Sequence, residues 1–253
     1  MDKNNQGAEV ALIDDLEELT IQKLEKILDD SSTDIKAELA VTNKLTPVAQ
    51  QYEKLKLEMR ETVKQIKTEL KRNDEGMKSF NAHKSRFLSK LDCQACDKEI
   101  EDFQSALKNF KPEKPMQMES IQSYYDVPEI VTDSLYIVAT KLYQEGHYQE
   151  SADIFFFLTN LCCYFKDYWA GLGLAEQSNG HDDIAISAFD VMSRLDDKDP
   201  VPHILCAESH LAKKDKEMAK NKIELAKTLN CASHPIPEEL QAMFAGLQTS
   251  VNN

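Results

Sequence analysis

Three stretches of this chain align with one another at a fixed interval of 34 residues, without a gap. Gly146 and Gly180 are 34 apart, and each is followed by a histidine, His147 and His181. Ser151, Ala185 and Ala219 stand at the same interval, as do Phe155, Phe189 and Ile223. Ala139, Gly173 and Ala207 form another such column, and Leu135, Trp169 and His203 a further one. A chain that keeps small residues at two columns and a large apolar residue at a third is built to stack one unit on the next. Each unit leaves an apolar face that only its neighbour can bury.

The period and the residue classes are those of tetratricopeptide-type units, each a pair of antiparallel helices. The small residue in the first helix (Ala139, Gly173, Ala207) lets the second helix approach closely, and that in the second (Ser151, Ala185, Ala219) does the same from the other side. Phe155, Phe189 and Ile223 then fill the space between units. Gly146 and Gly180 fall at the turn, where a positive φ is needed. Lys214 replaces that glycine in the third unit, so its turn is expected to differ. A helix over residues 238–247 would cap the stack. Only seven Gly and eight Pro in 253 residues argue against a turn-rich β fold. The expected fold class is all-α: a tetratricopeptide-type helical repeat solenoid with an N-terminal helical, coiled-coil-like extension.

The extension covers residues 1–110. Apolar residues recur at helical spacing at Leu12, Leu16, Leu19, Leu24 and Ile27, and a short helix follows to about residue 41. Val48, Tyr52, Leu55, Met59, Val63, Ile66 and Leu70 then lay one apolar stripe on a long helix. Asn73-Asp74-Glu75-Gly76 reads as a turn, and a second amphipathic stretch runs over residues 77–110. An antiparallel hairpin and one continuous coiled coil in a dimer both fit. Lys111-Pro112-Glu113-Lys114-Pro115 opens a linker over residues 111–128, and the repeat domain occupies 129–253.

Net charge is -14, and residues 121–253 alone carry 10 basic and 20 acidic side chains. Such a surface repels nucleic-acid phosphates and anionic membranes, so neither is an expected partner, and it suits a basic or amphipathic one. The polar start MDKNNQGAEV has no signal-peptide character, and no apolar run approaches the ~18 to 20 residues of a membrane span. A cytoplasmic protein without direct membrane insertion is expected. Cys93-Gln94-Ala95-Cys96 has metal-ligand spacing, but no second pair completes four ligands, so no metal and no cofactor are expected. No phosphate loop, dinucleotide fingerprint or catalytic triad order is visible, and the chain reads as a binding protein rather than an enzyme.

The stretch Leu142-Tyr143-Gln144-Glu145-Gly146-His147-Tyr148-Gln149-Glu150, then Gly171-Leu172-Gly173, then Asp199-Pro200 with Ala207-Glu208, resembles the class II tetratricopeptide chaperones of bacterial type III secretion. The resemblance covers about residues 120–230 and says nothing of the long extension. It implies a cytoplasmic chaperone that binds a segment of a secreted translocator protein and keeps it soluble before export. A homodimer is also expected by resemblance. The alternative is a general tetratricopeptide adaptor that assembles soluble machinery.

In a stack of helix pairs the first helices line the concave face. Their residues turned away from the core are Asp133, Tyr136, Thr140 and Tyr143 in the first unit, and Asp167, Ala170, Leu174 and Gln177 in the second. In the third they are Val201, Ile204, Glu208 and Leu211. The expected peptide groove is Tyr136, Thr140, Tyr143, Ala170, Leu174, Gln177, Ile204, Glu208 and Leu211, with Tyr136 and Tyr143 the positions onto which the resemblance maps it best. The competing reading packs the two tyrosines against the extension.

Overall fold

The computed structural model describes residues 47–108, 121–124, 127–231 and 234–252, together with Ile21, Lys26, Ile35 and Lys36. The helices expected before residue 47 and most of the 111–128 linker therefore fall outside the described residues. The chain divides into two compact units, Met1–Lys71 and Arg72–Asn253. Helix α1 (Val48–Phe87) begins in the first and ends in the second. In the first unit, Tyr52 and Val63 are buried, and Lys36 and Lys56 lie over the Tyr52 ring at 4.7 and 5.1 Å. The lower end of the stripe, Ile66 and Leu70, is exposed.

The second unit continues through α2 (Lys90–Lys108) and the single turn α3 (Ile121–Tyr124) to three helix pairs. These are α4 (Glu129–Gln144) with α5 (Tyr148–Leu161), α6 (Lys166–Ser178) with α7 (Asp182–Leu195), and α8 (Val201–Ala212) with α9 (Lys216–Leu229). Helix α10 (Glu238–Asn252) follows, and Phe244 and Leu247 join Ile204, Ile223 and Ile236 in one buried cluster.

The columns do what their chemistry demands. Ala139, Ala207, Ala185 and Ala219 have no exposed surface, nor have Phe189 and Ile223. In the first unit the small residue is Ser151, whose hydroxyl donates to the Ala139 carbonyl at 2.8 Å and ties the two helices at their contact. The Gly-Leu-Gly run serves two partners. A methyl at Gly171 would overlap the ring of Phe155 in the preceding unit, and one at Gly173 would overlap Phe189 in its own. Lys166 pins the start of α6 to the approach of α8, with its Nζ 3.0 Å from Asp196 and 2.8 Å from Asp199.

The third turn corrects the sequence expectation, because Lys214 adopts φ 63°, beside 85° for Gly146 and 78° for Gly180. The reason lies in the backbone. His147 N donates to Leu142 O, His181 N to Glu176 O and Asp215 N to His210 O, at 2.9, 2.9 and 2.8 Å. The same six-to-one bond closes all three helices and holds the turn residue left-handed whatever its side chain. Asp215 also accepts a hydrogen bond from Met218 N at 3.1 Å and caps α9.

The turn expected at residues 73–76 is absent, since α1 runs through it to Phe87 and the chain breaks at Leu88 and Ser89. Asn73 and Gly76 of that stretch meet α5 instead, and Asp74 and Glu75 pair with Lys78 on their own helix. Asn160 donates to Asn73 at 2.9 Å, and Gly76 admits the Asp153 backbone, which any side chain would strike. Farther along, His83 meets Glu150 at 3.2 Å and Arg86 meets Glu145 at 2.8 Å. The partners descend α5 from Asn160 to Glu150 and reach Glu145 just before it as α1 ascends, so the two helices run antiparallel. Phe80 and Cys96 sit in the same buried cluster as Leu135, Ile154 and Leu158. Residues from Arg72 onward thus belong to the repeat unit, and the compact boundary differs from one drawn at 111–128.

At the head of this contact lies a buried charge. Glu176 is 1% exposed, and it is bonded by Arg72 and by His181 Nδ1, the latter at 2.7 Å. Arg72 also donates to Asp153 at 3.1 Å and lies over the Phe156 ring at 4.5 Å. Desolvation raises the Asp153 pKa above the usual carboxylate range. Removing one partner of a buried ion pair costs ~3 to 5 kcal/mol. Arg72→Ala is accordingly expected to lower the urea midpoint sharply, and a chain begun at residue 120 to be less stable than one begun at residue 72. Lys214→Gly should raise stability by up to ~1 kcal/mol, read as an upward shift in melting temperature.

Candidate functional site

The first two repeat units enclose a half-open cavity of about 180 Å³. Tyr136, Thr140 and Tyr143 line one wall from α4, and Asp167, Ala170, Gly171 and Leu174 line the other from α6, with Phe155 at the base. The opening follows from the packing just described. Phe155 is drawn against Gly171, and Gly171 beside Ala170 leaves little side chain on that face of α6 to fill the space between the helices.

Aromatic edges set the wall. Tyr136 meets Phe155 edge-on at 5.8 Å and Tyr168 at 6.0 Å, and Tyr168 rests on Phe165 at 4.8 Å. Tyr143 leans on Tyr148 at 5.4 Å, and Ser178 donates to its hydroxyl at 3.4 Å. Burial pushes the Tyr168 phenol pKa up, with Asp133 among the lesser contributors. Tyr136 is 36% exposed, so its ring borders the cavity without being locked in the core. The Thr140 hydroxyl is buried and has no hydrogen-bond partner among the described residues. A hydroxyl left unsatisfied behind aromatic walls is a reserve of hydrogen bonding for a peptide, with the apolar pocket taking a side chain.

Five of the sequence-predicted residues meet here: Tyr136, Thr140, Tyr143, Ala170 and Leu174. The other four do not line this cavity. Ile204 is wholly buried, because Ile236 and Phe244 join it in one cluster, and the column that is open at Tyr136 is closed there. Leu211 packs against that same cluster. Gln177 is spent on structure, its amide donating to Ser209 Oγ at 2.9 Å and to Leu205 O at 3.4 Å. Glu208 is half-buried on α8. Phe155 was assigned from sequence to packing alone, and Gly171 was noted only as part of the Gly-Leu-Gly run. The signal that could have placed them here is the glycine in the first helix of the following unit, which leaves room for the ring at the wall between the units.

Two of the cysteines are buried in the packing. Cys96 is fully buried in the apolar cluster with its thiol pKa raised by desolvation, and burial pushes Cys206 up to about 12. Among the described residues no three His, Cys, Asp or Glu side chains are grouped to hold a metal ion. No helix among them is long and apolar enough to cross a membrane.

No family model matches the chain. Over 119 residues it is 29% identical to the Low calcium response locus protein H of Yersinia pseudotuberculosis, spanning 47% of this chain and 70% of that protein. About half of the chain is also similar to solved chaperones of type III secretion. Two solved structures extend the comparison. One is the Yersinia enterocolitica type III secretion chaperone SycD in complex with a peptide of the translocator YopD. It is 28% identical, covers 47% of this chain and 91% of its own, and has a TM-score of 0.44. The other is PcrH, from Pseudomonas aeruginosa, in complex with the chaperone binding region of PopD. It is 28% identical, covers 49% of this chain and 93% of its own, and has a TM-score of 0.46.

Thr140→Val tests the open hydroxyl. A buried polar group without a partner costs ~1 to 3 kcal/mol, so the free protein is expected to melt higher as the valine variant. A bound peptide that uses the hydroxyl should at the same time lose affinity.

Proposed function

We propose that this protein is a cytoplasmic chaperone of type III secretion, which holds a segment of a translocator-type secreted protein in the concave face of its repeats and keeps it soluble before export. The cavity between α4 and α6 carries the reading: an apolar, aromatic-walled pocket with one unsatisfied hydroxyl, on repeats similar to a family of such chaperones. It offers shape and apolar surface and no convergent acid, base or nucleophile, which suits holding rather than turnover. An exported chain that inserts in membranes exposes apolar side chains in water, and covering even one of them removes the nucleus of aggregation.

The test begins with the protein that co-purifies with the full chain from its own cells. The segment of that partner protected from proteolysis is then titrated by calorimetry. A membrane-inserting secreted protein is expected. Tyr136→Ala with Tyr143→Ala should weaken the segment by more than tenfold, since a buried aromatic anchor is worth ~2 kcal/mol or more. Equal affinity for wild type and double variant, both folded by circular dichroism, would overturn the assignment.

A further inference from the structure

The repeat unit distributes its charges unevenly between its two sides. Its cations are spent away from the concave face: Arg72 on Asp153 and Glu176, Arg86 on Glu145, Lys213 on Asp183 and Lys222 on Asp190. The first helices of the three units contain two lysines, Lys141 and Lys166, and no arginine. Lys141 bonds Gln144, and Lys166 is held by Asp196 and Asp199. No cation therefore stands among the cavity-lining residues.

The carboxylates on that face are the complement. Asp133 and Asp167 occupy the same column one repeat apart and are both exposed, and Asp167 itself lines the cavity. Glu208 stands one repeat beyond Leu174, in the column that supplies Thr140 and Leu174 to the cavity. Among the described residues none of the three has a hydrogen bond or an ion pair. Asp167 in the first turn of α6 favours that helix through its dipole, but Asp133 lies past the first turn of α4 and Glu208 in the second half of α8, where that account fails. Like charges collected along one groove repel each other until an opposite charge enters, and they select their ligand by potential as well as by shape.

Resting on the chaperone reading above, we infer that the segment held in this groove is basic: an apolar anchor for the cavity walled by Tyr136 and Leu174, with lysine or arginine within about three positions of it, paired to Asp133, Asp167 and Glu208. Neighbouring packed helices lie ~8 to 10 Å apart, which an extended chain spans in about three residues. Successive basic residues can thus meet the carboxylates of successive units while the anchor occupies the space between them.

A random dodecapeptide display library, selected on the full-length chain, supplies the probe. Selected peptides are expected to share an apolar residue with lysine or arginine within about three positions. Their affinity should fall as salt is raised from low to high ionic strength. A variant with Asp133→Asn, Asp167→Asn and Glu208→Gln changes charge with little change in shape. It should select the apolar residue without the basic ones, and bind the wild-type peptides at least about tenfold more weakly, at up to about fivefold per pair. Apolar peptides with no basic enrichment, or an enrichment that persists on the triple variant, would overturn the charge inference and leave the groove standing. Peptides that bind equally well to Tyr136→Ala would instead overturn the groove itself, and this inference with it.

Discussion

A carboxylate with 1% of its surface exposed cannot stay ionised inside a protein unless cations or donors replace the water it has lost. Glu176 sits in that position at the end of α6, and its partners come from two directions. His181 is supplied by the turn of its own unit, and Arg72 arrives from a helix more than a hundred residues earlier in the chain. The repeats are therefore completed by a residue outside them. Because Arg72 also serves Asp153 and covers Phe156, the same side chain sets where α1 meets α5. Everything downstream on that contact, from Gly76 against the Asp153 backbone to Arg86 on Glu145, keeps the register fixed at this point.

The site depends on a second constraint, the placing of large rings over missing side chains. Phe155 against Gly171 and Phe189 against Gly173 bring consecutive helices closer than any other residue would allow. Gly171 and Phe155 themselves line the cavity walled by α4 and α6, so packing and binding share one contact. The glycines cannot be filled without moving the phenylalanines, and a moved Phe155 would alter the cavity base.

The repeat half was legible because its constraints are local and periodic. Ala139, Gly173 and Ala207 announce a close helix contact by their size, and Phe155, Phe189 and Ile223 announce what fills it. The cavity wall followed from helical geometry, which put Tyr136, Thr140 and Tyr143 on one face. Ile204 broke the pattern because periodicity treats every unit alike, whereas the last unit has α10 and Ile236 beside it. Gln177 broke it because a side-chain amide in reach of Ser209 Oγ and Leu205 O bonds them instead of facing the groove. The extension misled for a different reason. Asn, Asp, Glu and Gly in a row carry turn propensity, but Asn73 and Gly76 are matched to Asn160 and Asp153 on a helix eighty residues away. No local reading of residues 73–76 contains that information.

The left-handed lysine at position 214 bears on how such arrays evolve. The turn there is written in the backbone, by an amide reaching back five residues, and the side chain only sets how comfortably it is held. A unit can therefore lose the residue that most plainly marks its boundary and keep its shape. Divergence is free to erase the punctuation of a repeat before it erases the repeat, and a tally of units by their turn glycines would find two here where the helices form three.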